Sequence, residues 1–300
     1  MSTVCSETVG SWTPIGATGT YFAGTYNGNY NIIKNLYANS NQYNFLGFFF
    51  RIAGNATIQN IVMQNAYVYS NCSNTTSTAA IICGYMDHNA TIKNCGIDSG
   101  SLTLNSSGSD KYIGGIASLS NGFILNCYNK AKVTSIGNMS ENDSICGAGI
   151  VGHNANEIIN CYNRGDIVIK NYNAYIGGIA GLTVNNKYYM GVDKIPELKN
   201  CYNVGDFDIT SNFSLAGGIA GSNGYYTQQP AGLITKSYCI DNTTYSYYYY
   251  SSEFKTSTAE RRSAEELKTY ASTLGSAFAE DTNNINNGYP ILKWQVQTNE

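Results

Sequence analysis

Four asparagine–cysteine pairs recur at nearly even intervals: Asn94-Cys95, Asn126-Cys127, Asn160-Cys161 and Asn200-Cys201. A fixed period of roughly 20–50 residues is the mark of stacked repeats, so this spacing constrains the fold more than any other feature. Apolar equivalents extend the series upstream through Ile33-Lys34-Asn35-Leu36 and Ile58-Gln59-Asn60-Ile61. Downstream it degrades to Ile234-Thr235-Lys236-Ser237. With Asn35 as the first marker the spacings are 25, 34, 32, 34, 40 and 36 residues, giving about seven units. A glycine-rich marker accompanies them, clearest as Gly114-Gly115-Ile116-Ala117, Gly177-Gly178-Ile179-Ala180-Gly181 and Gly217-Gly218-Ile219-Ala220-Gly221. A third marker is Asn163-Arg164-Gly165-Asp166, repeated as Asn203-Val204-Gly205-Asp206.

Each unit reads as short strands separated by turns. Ile-x-Asn-Cys-Tyr alternates as a strand with one buried face should. Asn-x-Gly is turn chemistry, expected to use positive φ, and Ile167-Val168-Ile169 alternates again. Stripes of helical period are missing. About three short strands per unit predict an all-β chain, a parallel β-helix (β-solenoid). Neighbouring coils then sit about 4.8 Å apart, and seven coils make a column of roughly 34 Å. The Ile and Cys positions should stack inward, a free Cys acting as a small hydrophobe. The asparagines should form a ladder of amides bonded to the coils above and below.

Composition excludes several functions. The 300 residues carry 17 Lys+Arg against 20 Asp+Glu, a net charge of −3, and only 12% are charged. Nucleic-acid binding needs clustered cations, so no nucleic-acid partner is expected. There is no run of 18 apolar residues, hence no transmembrane helix. No basic-plus-apolar leader is visible, and the start at Met1-Ser2-Thr3 reads as a trimmed or engineered boundary. Nine cysteines are an odd number, with no Cys-x-x-Cys, no His-Glu-x-x-His, and only His88 and His153 as histidines. Neither a zinc site nor a complete disulfide framework is expected, nor any cofactor.

Gly-Ile-x-Gly followed by Asn-Cys-Tyr-Asn-x-Gly resembles the GLUG-repeat proteins of bacterial cell surfaces, over residues 30 to 240. Trp12-Thr13-Pro14-Ile15-Gly16 and Phe22-Ala23-Gly24-Thr25-Tyr26-Asn27-Gly28 look like that family's opening unit. Asn287-Gly288-Tyr289-Pro290-Ile291-Leu292-Lys293-Trp294 looks like its closing unit. Gly115-Ile116-Ala117-Ser118 and the first two coils depart from the pattern. The resemblance implies a right-handed β-helix on a secreted or surface-attached protein, as one segment of a longer polypeptide. It divides the chain into an N-terminal cap (1–29), repeats (30–242), and a Tyr-rich link with a C-terminal cap (243–300). Within that cap, Ser263-Ala264-Glu265-Glu266 has capping-box spacing. It predicts a helix near 263–274 that stops at Gly275 and covers the last coil or packs alongside it.

Candidate functional residues lie where the repeat is broken. Two units carry insertions at the same place, Asn185 to Glu197 and Gly224 to Gly232, and each holds a tyrosine pair: Tyr188-Tyr189 and Tyr225-Tyr226. Insertions in a solenoid map to one face, frequently the binding face, so these four tyrosines are the expected ligand contacts for a sugar or a peptide. Asp166 and Asp206 should lie one coil apart, with Asp208 nearby, as a candidate cation or glycosidase pair. Arg164-Gly165-Asp166 spells an integrin-recognition tripeptide, read here as a turn with a variable first position. Nine Asn-x-Ser/Thr sequons, including Asn55, Asn74, Asn138 and Asn212, follow from the abundance of Asn, Ser and Thr. The expected function is a non-enzymatic extracellular or cell-surface module acting as adhesin, spacer or glycan binder, with carbohydrate or a host or cell-surface protein as partner. A polysaccharide lyase or hydrolase, or a fibre segment, is the alternative.

Overall fold

The computed structural model describes residues 11–184, 194–223, 232–240 and 259–297. The chain is a parallel β-solenoid with short C-terminal helices, as the repeat predicts. One coil runs through Asp110–Gly114, Ala117–Ser120, Phe123–Leu125, Tyr128–Asn129 and Lys132–Ile136. The next repeats it through Ser144–Ala148, Val151–Asn154, Glu157–Ile159, Tyr162–Asn163 and Ile167–Lys170. Five strands per coil replace the three expected, because the Gly-rich and Asn-containing markers each turn a corner. Three walls are six-stranded sheets, so the column has about six turns. The fourth wall bends at the Asn-Cys corner; in the early coils Thr57–Gln64 and Thr91–Ile97 run through that corner unbroken.

Identical or similar residues stack inward. Ile58, Ile92, Ile124, Ile158, Leu198 and Ile234 form one buried column, in register coil to coil. Cys95, Cys127, Cys161 and Cys201 form another, with Ile61 aligned to Cys95 at its upper end. Each of these thiols donates to the carbonyl two residues earlier, as Cys127 Sγ does to Leu125 O at 3.2 Å. Burial raises the Cys95 and Cys161 thiols well above their ordinary value and pushes Cys83 up to about 12. All eight described cysteines are buried, and Cys72, Cys83, Cys95, Cys127, Cys146, Cys161 and Cys201 are free thiols that pack as hydrophobes.

The asparagine ladder exists, with a corrected first rung. Each side-chain amide donates to the Oδ1 of the previous coil: Asn94 to Asn60 at 3.2 Å, Asn126 to Asn94 at 3.0 Å, Asn160 to Asn126 at 2.9 Å and Asn200 to Asn160 at 2.9 Å. Above Asn60 the acceptor is Asn27, 33 residues earlier, and not Asn35. Asn35 instead accepts from Asn65 in a short parallel ladder. The 25-residue first spacing is therefore a change of ladder; the Asn27–Asn60 spacing of 33 matches the 34, 32 and 34 that follow, and the spacing of 40 holds the first insertion. The rungs from Asn60 to Asn200 hold φ between 51° and 57°, a left-handed conformation that asparagine tolerates better than most residues; Asn27 lies in a strand and is not among the positive-φ residues. Lys236 keeps that backbone, at φ 45°, although it ends the amide series.

A second ladder runs inside the column. Asn129 donates to Asn163 at 2.9 Å and Asn163 to Asn203 at 2.8 Å, in the opposite direction to the first. Each also closes a loop on the residue two positions on; Asn163 accepts from the Gly165 amide at 3.2 Å and donates to the Gly165 carbonyl at 2.8 Å. These asparagines lie in extended strands, and Gly165 and Gly205 are absent from the positive-φ glycines. The expected positive-φ turn is thus corrected. Glycine is needed for space: a Cβ at Gly165 would lie 1.9 Å from the Ala131 carbonyl oxygen. The Gly-rich corners obey the same limit, since a Cβ at Gly149 would lie 2.0 Å from Asn163 Cγ, and one at Gly178 2.3 Å from Asn203 Cγ. Two of the sequence markers therefore touch across a narrow interior.

Asn163→Ala should remove one buried hydrogen bond each from Asn129, Asn203 and the Gly165 amide, which keep Ala131, Gly205 and the Asn129 carbonyl as remaining partners, and should leave one Asn129 N–H unsatisfied. An unsatisfied buried polar group costs about 1–3 kcal/mol, so urea unfolding of this variant should show a loss of about 2–4 kcal/mol. A loss within error of zero would mean the ladder contributes only register.

Candidate functional site

The four tyrosines singled out in the insertions, Tyr188, Tyr189, Tyr225 and Tyr226, lie outside the described residues. The strands on either side of them are described. The first insertion leaves from Ala180–Thr183 and returns at Glu197–Lys199; the second leaves from Ala220–Asn223 and returns at Leu233–Thr235. These flanking strands pair in register, Ala180 with Ala220 and Glu197 with Leu233. Both insertions therefore root at the same corner, one coil apart. Lys194 anchors the return of the first, with Nζ 2.5 Å from Glu157 Oε1 and 4.9 Å from the Phe123 ring centroid.

Asp166, Asp206 and Asp208 are exposed on neighbouring coils. Asp166 Oδ1 accepts from the Asp206 amide at 3.4 Å, so that carboxylate is turned to the backbone of the next coil. Among the described residues, no three His, Cys, Asp or Glu side chains meet where they could hold a metal ion. The Arg164-Gly165-Asp166 backbone belongs to the column: Arg164 N donates to Asn129 O, and Val204 N repeats the bond to Asn163 O. The tripeptide is a structural corner with a variable first residue.

Much of the tyrosine surplus has an architectural explanation. In Asn-Cys-Tyr-Asn the Cys points inward, so the Tyr points out. Tyr128, Tyr162 and Tyr202 stack face to face, at 5.1 Å and 4.9 Å between centroids. The C-terminal segment lies along this stack. Its helices Ala264–Lys268 and Ala271–Leu274 flank Tyr238 and Tyr270, and Ser263 and Glu266 form the expected capping box. One helix was expected near 263–274; the chain forms two, parted where the Thr269 hydroxyl bonds back to the Glu266 carbonyl. Beyond them Phe278 meets Tyr202, and Trp294 stacks on Tyr128 and Tyr30. The polar ends are satisfied too: Tyr162 bonds Gln295, Tyr202 donates to Pro290 O, and Trp294 Nε1 donates to Asn126 O at 3.0 Å. The segment is thus a lateral strap running back towards the first coils.

A different set of aromatics lies outside the strap, with Tyr67 exposed and Tyr37 and Tyr69 half-buried. On the wall built from Tyr37–Ser40, Ala66–Ser70 and Gly100–Asn105, alternation puts Ala38 and Val68 inside and Tyr37, Tyr67 and Tyr69 outside. Tyr37 and Tyr67 stack at 5.6 Å with rings 9° apart, and Tyr67 is 44% exposed. Amides orient the hydroxyls: Asn39 Nδ2 donates to Tyr37 Oη at 3.2 Å and Asn105 Nδ2 to Tyr69 Oη at 3.1 Å. Lys132 is exposed two coils on, in register with Ser101 and Tyr67. Flat rings beside aligned amides suit a sugar, whose ring faces are apolar and whose rim is hydroxylic. Sequence reasoning missed this patch, although the alternation in Tyr67-Val68-Tyr69 carried it.

No family model matches the chain, and no curated protein matches it. A solved structure does: the crystal structure of "a putative immunoglobulin A1 protease from Bacteroides ovatus" is similar to 94% of this chain and 81% of its own, at a TM-score of 0.63 and 21% identity. At that identity the likeness shows a shared β-helix fold.

Burial under the strap raises the Tyr128, Tyr162 and Tyr202 phenols well above their ordinary value. Below about pH 10 the phenol is protonated in both folded and unfolded chains, and stability is unaffected. Above pH 10 the unfolded chain ionises first, so stability falls as pH rises through the folded values. Tyr162→Phe should move the midpoint of alkaline unfolding, followed by circular dichroism, to higher pH. An unmoved midpoint would place the weak point elsewhere than the stack.

Proposed function

We propose that this chain is a non-enzymatic solenoid module of an extracellular or cell-surface protein, of the GLUG-repeat kind, and that it binds carbohydrate. The observation that carries the reading is the wall of exposed Tyr67 and half-buried Tyr37 and Tyr69 with Asn39 and Asn105, set on a regular sheet. Rigid aromatics with pre-oriented polar neighbours bind at low entropic cost. The insertion tyrosines Tyr188, Tyr189, Tyr225 and Tyr226 are proposed as further contacts, because both insertions root at one corner. The low charge of the chain suits a neutral glycan better than a polyanion. The competing reading, a polysaccharide-active or other hydrolytic enzyme, needs carboxylates and a base in one cleft; Asp166, Asp206 and Asp208 instead line an open edge.

The test is a glycan array probed with the purified chain, followed by affinity measurement on the best ligand. Tyr67→Ala with Tyr69→Ala should weaken binding about tenfold or more, equivalent to about 1.4 kcal/mol, with the melting temperature nearly unchanged. Replacing the four insertion tyrosines tests the second contact set in the same assay. A blank array, or full affinity in both variants, would overturn the carbohydrate reading and leave a spacer.

A further inference from the structure

Lys111, Asp143 and Asn171 come from three successive coils and meet inside the wall. Lys111 takes an inward position, in register with Ser77 before it and Ile145 after it. The Lys111 and Asp143 side chains are fully buried, and so is Asn171. Lys111 Nζ donates to Asp143 Oδ1. Asn171 Nδ2 donates to both Asp143 oxygens, at 3.1 Å and 3.3 Å. The amides of Met139 and Tyr172 each donate to Oδ2 at 3.2 Å, fixing the carboxylate. A Cβ at Gly137 would lie 2.1 Å from Asp143 Oδ2 and 2.3 Å from Asn171 Nδ2, so glycine leaves the room this group needs. The Asn171 Oδ1 is buried with no hydrogen-bond partner. A structural ion pair would account for Lys111 and Asp143, but not for a third buried group with an orphaned carbonyl.

One carboxylate thus touches an amine and a primary amide in a site without solvent access. We propose that Lys111 and Asn171 join in an intramolecular isopeptide bond, with Asp143 as the proton carrier. A proton passes from Lys111 Nζ to Asp143. The freed lone pair attacks Asn171 Cγ and a C–N bond forms. The protonated Asp143 is then a donor for the carbonyl oxygen that lacks one. It next gives its proton to the departing Nδ2 and takes one back from the new amide nitrogen. The old C–N bond breaks and ammonia leaves, with Asp143 left protonated in place of the ammonium. No oxidant or other reactant is consumed, and exclusion of water protects the product from hydrolysis. The bond ties one coil to the second coil beyond it, across the coil between, which is a fastening suited to a narrow column loaded along its axis.

Mass spectrometry of the full chain, intact and after tryptic digestion, tests this. The expected result is an intact mass one ammonia below the sequence mass, no cleavage after Lys111, and a branched peptide joining residues 111 and 171. Lys111→Arg and Asp143→Ala should each restore the full mass. The unmodified wild-type mass would overturn the proposal, whether or not the variants fold. So would ammonia loss without a branched peptide, which marks succinimide formation at an asparagine. Loss of water with a branch from Lys111 to Asp143 would overturn it as well.

Discussion

Everything in this molecule follows from the need to satisfy buried amides at a fixed coil height. An asparagine inside a narrow β-column can reach water at neither end of its side chain, and a buried polar group without a partner is costly. The next coil offers a partner only if an identical amide sits in register. The buried inner ladder Asn129–Asn163–Asn203 therefore dictates register, the half-exposed corner ladder from Asn60 to Asn200 repeats it, and register dictates what else is allowed. Glycine must face each inner asparagine because the walls approach too closely for a Cβ. Small apolar residues must fill the remaining inward positions, which explains why cysteine and isoleucine interchange at one height. The two ladders donate in opposite directions, so their amide dipoles oppose along the column instead of summing.

This is also why so much was legible in the sequence. A one-residue slip would turn every inward residue outward, so the pattern is repeated almost verbatim, and Asn-Cys-Tyr-Asn could be read straight into a solenoid. Legibility failed where the argument needed more than the period. Asn35 satisfies the local pattern and Asn27, in register with Gln59, does not, so only the partner across the coil shows which of them Asn60 meets. The Gly residues were explained by backbone freedom, whereas their reason is a neighbour on the opposite wall. The strap could be recognised as a capped helix from Ser263 and Glu266. Its direction could not, because a capping box reports where a helix begins and not which surface it covers. The clue was the Tyr after Cys127, Cys161 and Cys201, continued by Tyr238 after Ser237: these outward rings on successive coils form a ridge that must be covered, and the covering residues Leu267, Phe278 and Trp294 lie far away in sequence.

The chemistry that bears on function was the least legible part for a related reason. The repeat consumes the residues that recur, so a site must be made from those that do not. Lys111 stands inside a strand, Asp143 and Asn171 lie in stretches of unequal length between strands, and the three share no motif; only their burial brings them together. Tyr37, Tyr67 and Tyr69 are visible once alternation is applied to a single wall, but no later coil repeats them, since the same positions become Ser101, Thr103, Lys132 and Thr134.

The walls of the column thus divide the work. One carries the outward tyrosines that repeat, and a strap is folded over it; its hydroxyls are bonded to Gln295, Pro290 and Asn286, which leaves no ring face for a ligand. Another carries tyrosines that do not repeat, and it is open. A stacked repeat that varies freely at its outward positions while its inward positions are locked can change what it binds without disturbing how it folds. The low charge follows from the same division: inward positions exclude charge except where, as at Lys111 and Asp143, a partner is supplied, and the strap removes a further face from solvent. What remains exposed is polar but nearly neutral, a surface on which aromatic rings and amides, and not ionic attraction, decide what is held.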